Sequence, residues 1–162
     1  MLRHILSFIG IVAIGCLFYL LFDVELKYIV SKLVTIPLGT DLLSADLETW
    51  EGYFMKGALI VCITATSFSL VWYVVAQWGM KVVDWKSAGK RTWWTVLFLI
   101  LFVATLAFGI YYLKDSVEMG LVWAVGLYVL NGALCYYLST LLLSPVAFKY
   151  TPLGAMTVRR YW

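Results

Sequence analysis

Read from its first residue, the chain alternates between long apolar runs and short charged stretches. Four runs hold no Asp, Glu, Lys or Arg: residues 5–22, 57–78, 93–113 and 119–143. A hydrocarbon layer about 30 Å thick needs about 20 apolar residues of helix, so each run predicts a membrane-spanning helix. The expected fold is an all-α integral membrane protein. Its four transmembrane helices form an antiparallel bundle, residues 1–162 making one membrane domain with a tail at 144–162. The first run is short enough to resemble a secretory signal, with Arg3 and His4 before it and Ala13-Ile14-Gly15-Cys16 as a loose cleavage box. The apolar run continues six residues past Cys16, so an uncleaved first helix is the better reading.

The stretches between the runs have patterns of their own. In 23–56, Leu26, Ile29, Val30 and Leu33 recur at helical spacing, which carries the first helix toward Ile36. Pro37-Leu38-Gly39 is a turn signal, after which Thr40 or Asp41 is placed to cap a new helix. Leu43, Leu47, Trp50 and Phe54 then line one side, with Asp41, Ser44, Glu48 and Glu51 opposite. That pattern predicts an amphipathic segment between helices 1 and 2, lying on the membrane surface or packing on a neighbouring subunit. Ser144-Pro145 ends the fourth helix, because the residue before a proline avoids the helical region.

Charge gives the orientation. With both termini inside, the inner stretches 1–4, 79–92 and 144–162 hold Arg3, Lys81, Lys86, Lys90, Arg91, Lys149, Arg159 and Arg160 against Asp84 alone. The outer stretches 23–56 and 114–118 hold Lys27, Lys32, Lys56 and Lys114 against eight acidic residues. Basic residues concentrate in short cytoplasmic loops, so the expected location is an inner or plasma membrane with cytoplasmic N- and C-termini. Trp78, Trp93 and Trp94 near one boundary, and Trp50, Tyr111, Tyr112 and Trp123 near the other, read as interfacial anchors. A stacking site for a flat ligand is the other use of such rings.

Composition narrows the function classes. Hydrophobic residues make up 64% of the 162 and charged residues 13%, about half the charge of a soluble domain. That excludes an ordinary soluble domain, a disordered chain and a nucleic-acid binder. Cys16, Cys62 and Cys135 all fall in apolar runs and behave as small hydrophobes. With one histidine, His4, no His-based metal or haem site is expected, and no cofactor. The predicted spans hold no ionisable side chain, which argues against a proton-coupled transporter, and no catalytic constellation appears, which argues against an enzyme.

What the spans do hold is uncharged polarity: Thr64, Thr66, Ser67, Ser69 and Gln77 in the second, Thr95 and Thr105 in the third, Asn131 in the fourth. An amide in hydrocarbon needs a partner. Ala124, Tyr128, Asn131, Cys135 and Leu138 share one helical face, and Gly120/Ala124 and Ala65/Ser69 are small-xxx-small pairs. Asn131, Thr64, Ser67 and Tyr128 are therefore the candidate helix–helix or pore contacts. The simplest expectation bonds Asn131 to a hydroxyl of the second helix within one bundle; the others place these groups at a subunit interface or along a pore. In the tail, Phe148, Lys149, Tyr150, Arg159, Arg160 and Trp162 interleave rings with cations, a composition suited to docking a protein partner or the membrane surface. The expected function is a non-enzymatic membrane subunit that oligomerises or docks a cytoplasmic or membrane partner as an anchor or scaffold. The alternative is a small oligomeric ion channel or membrane-permeabilising effector with an acidic outer mouth.

Overall fold

The structure is a computed structural model that describes residues 2–33, 43–79, 88–113 and 118–143. All of them are helical: α1 Leu2–Leu33, α2 Leu43–Val74 closing in a π-helical turn Val75–Gly79, α3 Ala88–Leu113 and α4 Glu118–Leu143. Each holds a stretch long and apolar enough to cross a membrane: His4–Tyr28, Thr49–Trp78, Thr92–Leu113 and Trp123–Leu143. Four such helices fit a multi-pass membrane protein. α4 ends at Leu143, two residues before Pro145, as the proline requires.

One boundary follows the expected continuation and one differs from it. α1 runs to Leu33, so Asp23, Glu25 and Lys27 stand within a helix that continues the first apolar run. The stretch read as a separate surface helix is instead the first part of α2. Its apolar side turns into the chain's own core: Trp50 and Phe54 are buried, with Trp50 stacked on Phe54 at 5.6 Å and Phe54 edge-on to Phe22 at 5.9 Å. Burying two large rings there rewards a straight continuation over a bend between Phe54 and Gly57. The residues at the expected turn and cap, Pro37 to Asp41, lie outside the described residues.

The packing is read most directly from residue pairs. His4 near the start of α1 meets Tyr73 and Trp78 near the end of α2, while Phe22 meets Phe54. On α3 and α4, Trp94 meets Thr140, and Gly109 faces Val125. α2 and α4 touch directly: Phe54 stacks on Tyr128 at 5.1 Å, and Gly132 lies against Val61. α1 also packs on α4, through Phe22 on Tyr128 and Gly10 on Leu143. Trp72, Tyr128, Tyr136, Phe22 and Phe54 are the largest fully buried side chains. The interior between the helices is filled by these rings.

The outside is apolar as well. Large hydrophobic side chains are exposed along all four helices, among them Leu17, Leu20, Ile63, Val71, Leu99, Val103, Leu130 and Leu142. In water this surface would be an aggregation liability; against lipid it is the expected covering. The aromatic anchors divide. Trp78, Trp93, Tyr111 and Trp123 are exposed, the last at 74%. Trp50 and Trp94 are core residues at 8% and 9% exposure, so their role is packing, where the sequence pattern had suggested an interfacial belt.

Candidate functional site

The most chemically distinctive place in the described chain is a polar seam between α1 and α4. Asn131 is 1% exposed, and its Nδ2 donates to Glu25 Oε2 at 2.6 Å. This overturns one expectation. The partner of the amide is a carboxylate on α1, and no α2 hydroxyl is involved. The packed helices also contain a carboxylate that the sequence pattern had placed on the continuation of the first helix, beyond its apolar run. The cause is the length of α1: with the helix unbroken, Glu25 stands three residues after Phe22 and so on nearly the same side, and Phe22 packs on Tyr128 of α4 at 5.8 Å. Side chains on a helix lean toward its N-terminus, which brings Glu25 and Asn131 together from different heights. Continuing the helical spacing from Phe22 through Leu26 would have found Glu25.

One turn before Asn131, Tyr128 closes the seam between α2 and α4. Its hydroxyl donates to the Phe54 carbonyl at 2.7 Å, an acceptor made accessible because Gly57 has no side chain. A Cβ at Gly57 would collide with the Tyr128 hydroxyl. Around this pair gather Phe22, Trp50, Phe54, Phe108 and Tyr112, with Phe108 stacked on Tyr112 at 5.0 Å. A second aromatic group joins α3 to α4, where Trp94 stacks on Phe98 and Tyr136, and its Nε1 donates to Thr140 Oγ1 at 3.0 Å.

Of the other predicted contacts, Tyr128 and Asn131 face the interior, and Ala124, Cys135 and the partly buried Leu138 share their face. Thr64 and Ser67 do not reach across: Thr64 donates back to the Ile60 carbonyl at 2.8 Å, and Ser67 is exposed. Thr105, though buried, also bonds its own helix, to the carbonyls of Leu101 and Phe102. Back-bonding of this kind satisfies a hydroxyl without any tertiary partner. Ala65 and Ser69 are both buried, as a close-packing pair requires.

Ser67 belongs to a shallow groove between α1 and α2, about 370 Å³ in volume, lined by Gly15, Cys16, Tyr19, Leu59, Cys62 and Thr66 among others. The groove is almost wholly apolar. Near the start of α1, His4 Nδ1 lies 2.9 Å from the Tyr73 hydroxyl, and its ring leans on Trp78 in the π-helical turn. The sequence pattern offered no signal for this contact, because neither partner lies in a recognisable motif. Among the described residues no group of three or more His, Cys, Asp or Glu side chains is placed to hold a metal ion.

The predicted docking residues Phe148, Lys149, Tyr150, Arg159, Arg160 and Trp162 lie outside the described residues, as does most of the basic stretch 79–92. No protein-family model, curated protein or solved structure matches the chain.

Proposed function

We propose that the chain is a non-enzymatic subunit of a larger complex in an inner or plasma membrane, built as an antiparallel four-helix bundle with both termini in the cytoplasm. It anchors or scaffolds its complex, recruiting a cytoplasmic partner through the aromatic and basic tail at 144–162, and associates with other membrane subunits or further copies of itself. The observation that carries this reading is the contrast between the two surfaces of the bundle. Large apolar side chains are exposed on every helix, while Asn131, Tyr128 and Thr140 turn inward to partners on other helices. Such a body needs an apolar surrounding, whether lipid or neighbouring helices. The antiparallel arrangement is supported by the pairing of His4 with Tyr73 and of Phe22 with Phe54. The orientation is supported by the eight basic residues of the proposed inner stretches against one acidic residue.

Reporter fusions test the topology. Fusions in 79–92 and after Leu143 should report the cytoplasm, and those in 38–48 the outside. An outside signal from the C-terminal fusion would end this reading, because the tail would then be on the wrong side to recruit its partner.

A further inference from the structure

The Glu25–Asn131 pair leaves an unbalanced charge in an apolar setting. A carboxylate offers about four acceptor sites; Oε2 takes one hydrogen bond from a neutral amide. Among the described residues the only ion pair is Lys27 with Asp23, at 2.6 Å, so the nearest lysine along α1 is already matched. Glu25 lies within the candidate span His4–Tyr28, and its side chain reaches Asn131, eight residues inside the span Trp123–Leu143. Glu25 stands three residues from the end of its span, and a charged group among apolar side chains is expensive unless it is paired.

Exposed large side chains lie next to the pair on both helices. Leu21 and Tyr28 stand one turn before and after Glu25 on α1, and both are exposed. Leu134 stands one turn after Asn131 on α4 and is exposed, as is Leu130 beside the pair. The half-buried carboxylate is thus flanked by exposed, largely apolar side chains of both helices. An apolar helix laid against these side chains covers them, and a single cation on it meets the Glu25 carboxylate.

We infer that the seam between α1 and α4 docks a transmembrane helix of a partner protein through a Lys or Arg at the depth of Glu25. This rests on the reading of the chain as a membrane subunit but uses a different surface from the tail. The anion fixes both the depth and the rotation of the incoming helix, while Asn131 holds the carboxylate in place. Charge of this kind chooses a partner more than it raises affinity in general. Glu25 is a positioning and specificity residue in this account, with Asn131 as its support.

The test uses the full chain in liposomes and three synthetic probes: a leucine-rich transmembrane helix, the same helix with one Lys about a third of the way along, and the same helix with Glu at that position. Association is read by energy transfer between labelled probe and labelled protein. The Lys probe should associate about tenfold more strongly than the Leu probe, and the Glu probe no better than the Leu probe. Glu25→Gln should erase the preference while keeping the thermal midpoint, because the new amide oxygen still accepts from Asn131. Arg159→Ala with Arg160→Ala in the full chain should leave the preference intact, which separates this seam from docking by the tail. Equal association of the three probes, or a preference that survives Glu25→Gln, would overturn the proposal. So would loss of the preference on adding phosphatidylethanolamine, which would assign the carboxylate to a lipid amine. Self-association of the chain that disappears in Glu25→Gln would overturn it in favour of a second copy.

Discussion

Asn131 on α4 donates its side-chain amide to the Glu25 carboxylate on α1 across 2.6 Å, joining positions 106 residues apart. This bond ties the first helix to the last, and it is the point at which the bundle departs most from what its composition suggests. A buried amide and a carboxylate at the edge of the core are each costly alone; together they define how α1 sits on α4.

Replacing Asn131 by Leu should therefore lower stability by about 1–2 kcal/mol, since Glu25 loses its donor. Thr105→Val should change it by less than about 0.5 kcal/mol, because that hydroxyl bonds only carbonyls of its own helix. Thermal unfolding of both variants in the same detergent measures the difference. An Asn131→Leu protein as stable as the parent would show that the bond contributes nothing in the assembled bundle.

Two glycines of α2 should respond in opposite ways to alanine. Gly57→Ala drives a methyl group into the Tyr128 hydroxyl and should cost about 1–3 kcal/mol. Gly52→Ala meets nothing within 4 Å and should be neutral or stabilising by up to about 1 kcal/mol, the usual helix gain of alanine over glycine. Pairing Gly57→Ala with Tyr128→Phe should restore part of the loss, because the colliding oxygen is then gone. Chemical unfolding of the two single variants and the double variant reads all three.

Adjacent tryptophans give a third contrast. Trp94→Phe removes the indole donor to Thr140 and thins the stack with Phe98 and Tyr136, and should cost about 1–3 kcal/mol. Trp93→Phe, at a residue 58% exposed, should lie within about 0.5 kcal/mol of the parent. Fluorescence should agree: the Trp94 signal is shielded from a water-soluble quencher and the Trp93 signal is not.

The tail is the element on which recruitment depends. Truncation before Phe148 should leave the four helices inserted, since they are complete by Leu143, and should abolish binding of the cytoplasmic partner. Arg159→Ala with Arg160→Ala should weaken that binding in a salt-sensitive way, and Trp162→Ala should weaken it equally at low and high salt. Binding to inverted membrane vesicles at two ionic strengths distinguishes these outcomes; full binding by the truncated chain would assign the tail to the lipid surface alone.

The four helices and the end of the last were legible in the sequence, because an apolar run of sufficient length and a proline after it are local signals. Tyr128 and Asn131 were legible as interior groups for the same reason: a polar side chain in an apolar run must find a partner. The rotation of each helix was not. Every apolar run is hydrophobic all round, so periodicity cannot separate a lipid-facing side from a core-facing one, and Trp94 reads the same as Trp93 until Thr140 and Tyr136 are in place. The continuation of α1 past its apolar run was legible in the spacing of Leu26, Ile29, Val30 and Leu33, but the joining of the stretch from Leu43 onward to the second helix was hidden. It is tertiary packing, with Phe22, Trp50, Phe54 and Tyr128 filling one volume and Gly57 leaving room for a hydroxyl, that continues α1 and α2 through charged sequence and so brings Glu25 to Asn131.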